Sequence, residues 1–80
     1  MNNWFMKMDW KKIVFSSPEV LGGTPVFKGT RVPVLSLLEH IENGISLDEF
    51  LEDFPSVDKF IAIQFLKLVK ESTMQDLTAA

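Results

Sequence analysis

At 80 residues with no cysteine, the chain reads as one small domain without a disulfide framework, and it has no apolar run near the roughly 20 residues that span a bilayer, so a cytoplasmic protein without a membrane partner is expected. Hydrophobic residues make up 46% of it, with seven Phe and two Trp; so small an interior cannot absorb all of them, and some of that surface is expected to meet a partner. The net charge of −3 is unevenly spread, with Lys7, Lys11, Lys12, Lys28 and Arg31 against Asp9 and Glu19 in residues 1–31, and Lys59, Lys67 and Lys70 against nine carboxylates in 32–80, which leaves a local face or a dimer of such faces, not a basic domain, for any contact with DNA.

Residues 1–9 show no period and are expected to be a flexible N-terminus ahead of a single domain over 10–71. Trp10-Lys11-Lys12-Ile13-Val14-Phe15 combines aromatic and β-branched residues and predicts a strand, ended by Ser16-Ser17-Pro18. Its available partners are Val26-Phe27 and Arg31-Val32, which flank a turn at Lys28-Gly29, or the same strand in a second copy of the chain. From Gly22 to Pro33 the glycines and prolines constrain the backbone at several points, and Arg31 places one cationic fork among them.

Pro33 suits the first turn of a helix, and Val34, Leu37, Leu38 and Ile41 follow at the spacing of one apolar face. Gly44 after Asn43 stops that helix, and Ser46 with Glu49 forms a capping box for a second one, whose apolar side is Leu47, Phe50, Leu51 and Phe54. Pro55 disfavours helix at Phe54, and Ser56 can cap a third helix expected from about Val57 to Glu71, with a mobile tail over 72–80. Three helices joined by short turns predict a mainly α fold, a helix-turn-helix-like bundle (winged-helix or homeodomain-like) with a short N-terminal β element.

The faces carry the functional reading. Asp48, Glu49, Glu52 and Asp53 lie away from the apolar side of the second helix, where they form either a solvated surface or a contact for a basic partner. On the third helix Val57, Ile61, Ala62, Phe65, Leu66, Leu68 and Val69 form the core side. The opposite side carries Lys59, Gln64, Lys67 and Lys70, the candidate DNA-binding residues, together with Phe60 and Ile63, which a plain monomer would expose unless the N-terminal segment folds over them. Trp4, Phe5 and Trp10 join Phe60 and Ile63 as candidate partner or dimer contacts. His40 is the sole histidine and has no metal-ligand spacing around it, the acid pairs Glu39/Glu42 and Glu49/Asp53 imply no pocket, and Lys28-Gly29-Thr30 lacks the glycine spacing of a phosphate loop. No enzyme, cofactor, metal or small-molecule substrate is expected.

Gly23-Thr24-Pro25, Gly29-Thr30-Arg31-Val32-Pro33, Asn43-Gly44-Ile45-Ser46, Glu49 and Phe54-Pro55 together resemble the family known as domain of unknown function 433, over about residues 10–70. The resemblance marks Gly23, Pro25, Gly29, Thr30, Arg31, Pro33, Gly44, Ser46 and Pro55 as its motif positions. It implies a small prokaryotic antitoxin, usually a homodimer, encoded beside a PIN-like ribonuclease toxin that it binds and silences. Operator binding for autoregulation is implied only by analogy of fold. Arg31 is expected to bond turn carbonyls or a helix carboxylate, against the alternative of gripping phosphate or a toxin carboxylate. Two other readings stay open: a free-standing DNA-binding regulator and a bare dimerisation module.

Overall fold

The computed structural model describes residues 10–78. Residues 10–13 are helical, and the chain then enters strand β1 (Val14–Phe15), a short 3-10 turn (Leu21–Gly23) and strand β2 (Val26–Phe27). Helices α1 (Val34–Glu42), α2 (Leu47–Asp53) and α3 (Lys59–Thr78) follow. The fold is mainly α with a short N-terminal β element, as the sequence predicts. The candidate positions Trp4 and Phe5 and the flexible start expected over 1–9 lie outside the described residues.

The β element is smaller than its sequence predicts. Of the strand expected over Trp10–Phe15, only Val14–Phe15 is extended, and residues 10–13 are helical instead. Helix lets the segment turn Trp10 onto Phe65 of α3, edge to face at 5.7 Å, while Ile13 becomes buried. That tertiary contact outweighs a modest strand propensity.

Strand β1 pairs antiparallel with β2, Val14 opposite Phe27 and Phe15 opposite Val26. On its other side β2 meets the chain that leads into α1. Phe27 N–H donates to Val32 O at 3.0 Å and Val34 N–H donates to Pro25 O at 3.1 Å, which brackets an antiparallel bridge between Val26 and Pro33. In such a non-hydrogen-bonded pair the backbone N–H points out of the ladder, so Pro33 loses nothing by lacking one. Its φ of −61° and ψ of 136° put Pro33 at the N-cap of α1, one residue outside the helix and not in its first turn.

Between β2 and that bridge the chain reverses in a turn closed by Thr30 N–H to Phe27 O at 3.0 Å, with Gly29 at φ 82°. Positive φ at the third position of a turn is the type II requirement, and glycine meets it without steric cost. The Thr30 hydroxyl fastens the turn twice, donating to Phe27 O at 2.8 Å and accepting from Val32 N–H at 3.0 Å.

Helix α1 ends in a Schellman arrangement: Gly44 N–H donates to Ile41 O at 3.0 Å and Ile45 N–H to His40 O at 2.8 Å, with Gly44 at φ 79°. The capping box of α2 forms as expected, Glu49 N–H to Ser46 Oγ and Ser46 N–H to Glu49 Oε1, both at 3.1 Å. The cap of α3 is Asp58, not Ser56. Its carboxylate accepts from Phe60 N–H at 2.8 Å and Ile61 N–H at 3.3 Å, so the helix starts at Lys59. At the far end α3 runs on to Thr78, so most of the stretch expected as a tail from Ser72 is helix.

The core joins Ile13, Phe27, Val32, Leu37, Phe50, Val57, Ala62, Phe65 and Leu68. Phe27 is its hub, with Phe65 at 5.4 Å and Phe50 at 6.2 Å between ring centres. Leu47, Leu51 and Phe54 of the predicted α2 face pack against it, as do Val34 and Leu38 of α1. Ile41 differs from expectation: in the last turn of α1 it is exposed. Among the described residues no helix is long and apolar enough to cross a membrane.

Candidate functional site

Among the described residues, several polar side chains that could suggest chemistry are tied into the fold. His40 is half-buried between Phe50 and Phe54, its ring 5.2 and 5.8 Å from theirs. Its Nδ1 lies 2.8 Å from Ser36 O and its Nε2 3.6 Å from Asp53 Oδ2. An Nδ1–H donated to the carbonyl one turn earlier holds the ring, and Asp53 then ties α1 to α2. Glu49 is used by the capping box, and Asp48 lies 3.4 Å from Lys59. Among the described residues no three His, Asp or Glu side chains are placed to hold a metal ion.

The Gly–Pro segment acts through its backbone. Gly23, Pro25, Gly29, Thr30 and Pro33 shape the turn and the bridge that seat Val26 and Phe27, both fully buried. Arg31 departs from expectation. It is exposed, and among the described residues it makes no hydrogen bond or ion pair, either with a turn carbonyl or with a helix carboxylate. It stands just past the turn of Phe27 to Thr30, on the exposed side of the chain that returns to β2.

The outer face of α3 gathers the rest. Phe60 is 64% exposed and Ile63 38%, and neither is covered by the described N-terminal segment. Trp10, grouped with them from the sequence, packs instead on the core. Residues 10–13 lie beside the start of α3 and leave a groove of about 390 Å³ lined by Lys12, Ile13, Phe60, Ile61, Gln64 and Leu68. Of the four polar residues proposed for DNA, Lys67 and Lys70 are exposed, Gln64 is half-buried in the groove wall, and Lys59 is engaged by Asp48. Among the described residues, then, Lys67 and Lys70 stand without an ion pair, and Lys59 shares an exposed one.

Two residues of this face escape the sequence reading. Met74 and Leu77, 51% and 69% exposed, belong to the stretch expected as a tail, yet on the continued helix they extend the line of Phe60 and Ile63. Alternating steps of three and four from Phe60 to Leu77 are the signal that could have found them.

The chain matches the family model described as "Protein of unknown function (DUF433)" over residues 14–67. It is 50% identical over 48 residues to the uncharacterized protein y4eO of Sinorhizobium fredii, a match that covers 60% of this chain and 22% of that protein. The chain thus spans well under half the length of that relative. It is also similar to the crystal structure of a DUF433 member protein from Anabaena variabilis, with a TM-score of 0.65 at 21% identity, covering 89% of this chain and 69% of that one. At that identity the likeness establishes the fold alone.

Proposed function

Since the chain belongs to the DUF433 family, we propose that it is the antitoxin of a type II toxin–antitoxin pair, a cytoplasmic protein that binds a PIN-like ribonuclease encoded nearby and occludes its site. The observation that carries this reading is the outer face of α3, where Phe60, Ile63, Met74 and Leu77 stay exposed on a domain whose core is already complete. Large apolar side chains held on a rigid helix cost little further order on docking, and such residues supply most of the affinity at protein interfaces. The homodimer implied by the resemblance has a separate surface available: the edge of β1 that pairs with nothing among the described residues, where Phe15 is exposed.

Co-expression with the product of the neighbouring open reading frame tests the reading. A stable complex and relief of growth arrest are expected, and both are expected to be lost when Phe60 and Leu77 become Asp. No complex and no relief with the native chain would sink it. A DNA-binding regulator is the second reading, favoured by the exposed Lys67 and Lys70 of α3. Its signature is a salt-sensitive, sequence-selective shift of its own promoter fragment that disappears in the Lys67→Glu, Lys70→Glu variant.

A further inference from the structure

The reading above asks only that the outer face of α3 meet protein; the order of residues along that face names the kind of surface that fits it, and the inference rests on that reading. Phe60, Ile63, Lys67, Lys70, Met74 and Leu77 recur at steps of three and four, the a/d period of one helix packing along another, and all six are exposed. At 1.5 Å per residue they form a seam roughly 25 Å long. Its ends are apolar and its centre carries two ammonium groups.

That order disfavours a second copy as the occupant. A parallel pair would set Lys67 on Lys67 and Lys70 on Lys70, and an antiparallel pair would set Lys67 on Lys70 while Phe60 meets Leu77. Either direction buries like charges at the centre, and each helix has a single flanking carboxylate, Glu71, against two lysines. A nucleic acid fits no better, because apolar side chains flank the two lysines along the seam and the Asp48 carboxylate lies 3.4 Å from Lys59, the next cation along the helix.

We propose that the seam docks an amphipathic partner helix with apolar residues towards both ends and at least two carboxylates at its centre. The aliphatic stems of Lys67 and Lys70 lie along the partner while their ammonium groups pair with its acids. The central charges set register, which a wholly apolar seam leaves loose. The groove between residues 10–13 and Phe60 receives one apolar anchor of the partner at that end.

Two labelled synthetic helices about 18 residues long, the span of the seam, test this by fluorescence anisotropy. They share Leu at the outer a/d positions and differ only in carrying Glu or Lys at the two central ones. The Glu-centred peptide is expected to bind about tenfold tighter or better, and Lys67→Glu with Lys70→Glu is expected to reverse the preference while the melting temperature stays unchanged. Equal binding of the two peptides, no binding of either, or a preference that survives the charge reversal would overturn the proposal. So would self-association in sedimentation that Phe60→Glu with Leu77→Glu abolishes, which would make the occupant a second copy, or a tighter complex with a 20-base-pair duplex that depends on the two lysines. The antitoxin reading can fail separately: peptide discrimination without capture of the neighbouring gene product removes only that reading, and capture without discrimination removes only this one.

Discussion

Phe50 and Phe60 are the same side chain on consecutive helices, and the first is fully buried while the second is 64% exposed. Around Phe50, three elements besides its own converge: β2 brings Phe27, α1 brings His40 and Leu37, and α3 brings Phe65, which packs on Phe27. Each ring there touches others edge-on or tilted, so removing one leaves a hole that its neighbours cannot fill. Around Phe60, the described residues supply only a groove wall, and the core of the domain closes without it. Burial of apolar surface drives folding in the first place and is left over in the second, so the surplus is available for association.

The contrast can be broken or sharpened by substitution. Phe50→Ala should cost about 3–5 kcal/mol, a large share of the roughly 4–12 kcal/mol that holds a domain of this length together. A chain that melts cooperatively near the native temperature after this change would show that the aromatic junction is not the core. Gly29→Ala comes next, at about 1–2 kcal/mol, because φ of 82° strains any side chain even though a Cβ there would meet open space. Urea unfolding should register it as a lower midpoint with an unchanged slope. Ser46→Ala should cost about 1 kcal/mol through loss of the α2 cap that holds Phe50 in register; no fall in melting temperature would mean that packing alone sets that helix.

The smallest effects belong to the outer face. Lys59→Ala should change stability by about 0.5 kcal/mol or less, since both it and Asp48 are mostly exposed and such pairs are screened. Phe60→Ser should likewise stay within about 0.5 kcal/mol while weakening capture of the neighbouring gene product severely. If it destabilised the domain as Phe50→Ala does, the two regions would not differ in kind.

Much of this was legible along the chain. The capping box at Ser46 and Glu49, the stop at Gly44 and the apolar side of α2 are local devices, satisfied within a few residues, and each appears where its residues stand. The exposure of Phe60 and Ile63 follows from helical periodicity. Residues 10–13 have the composition of a strand, and the presence of Phe65 makes a helical turn with Trp10 facing it preferable. Met74 and Leu77 are not legible in this way, because a helix end without core residues has no burial pattern to announce it.

By itself the sequence determined the order of the three main helices, the stop at Gly44, the cap at Ser46, the family, and the fact that more apolar surface is present than the domain can hide. Those follow from short-range sterics, hydrogen bonding and composition. Only the tertiary structure decided where that surplus lies, that Arg31 is exposed while Lys59 is paired, and that Phe60, Ile63, Met74 and Leu77 share one face with two lysines. Whether a side chain is covered depends on what distant segments bring to it, and no local pattern contains that information.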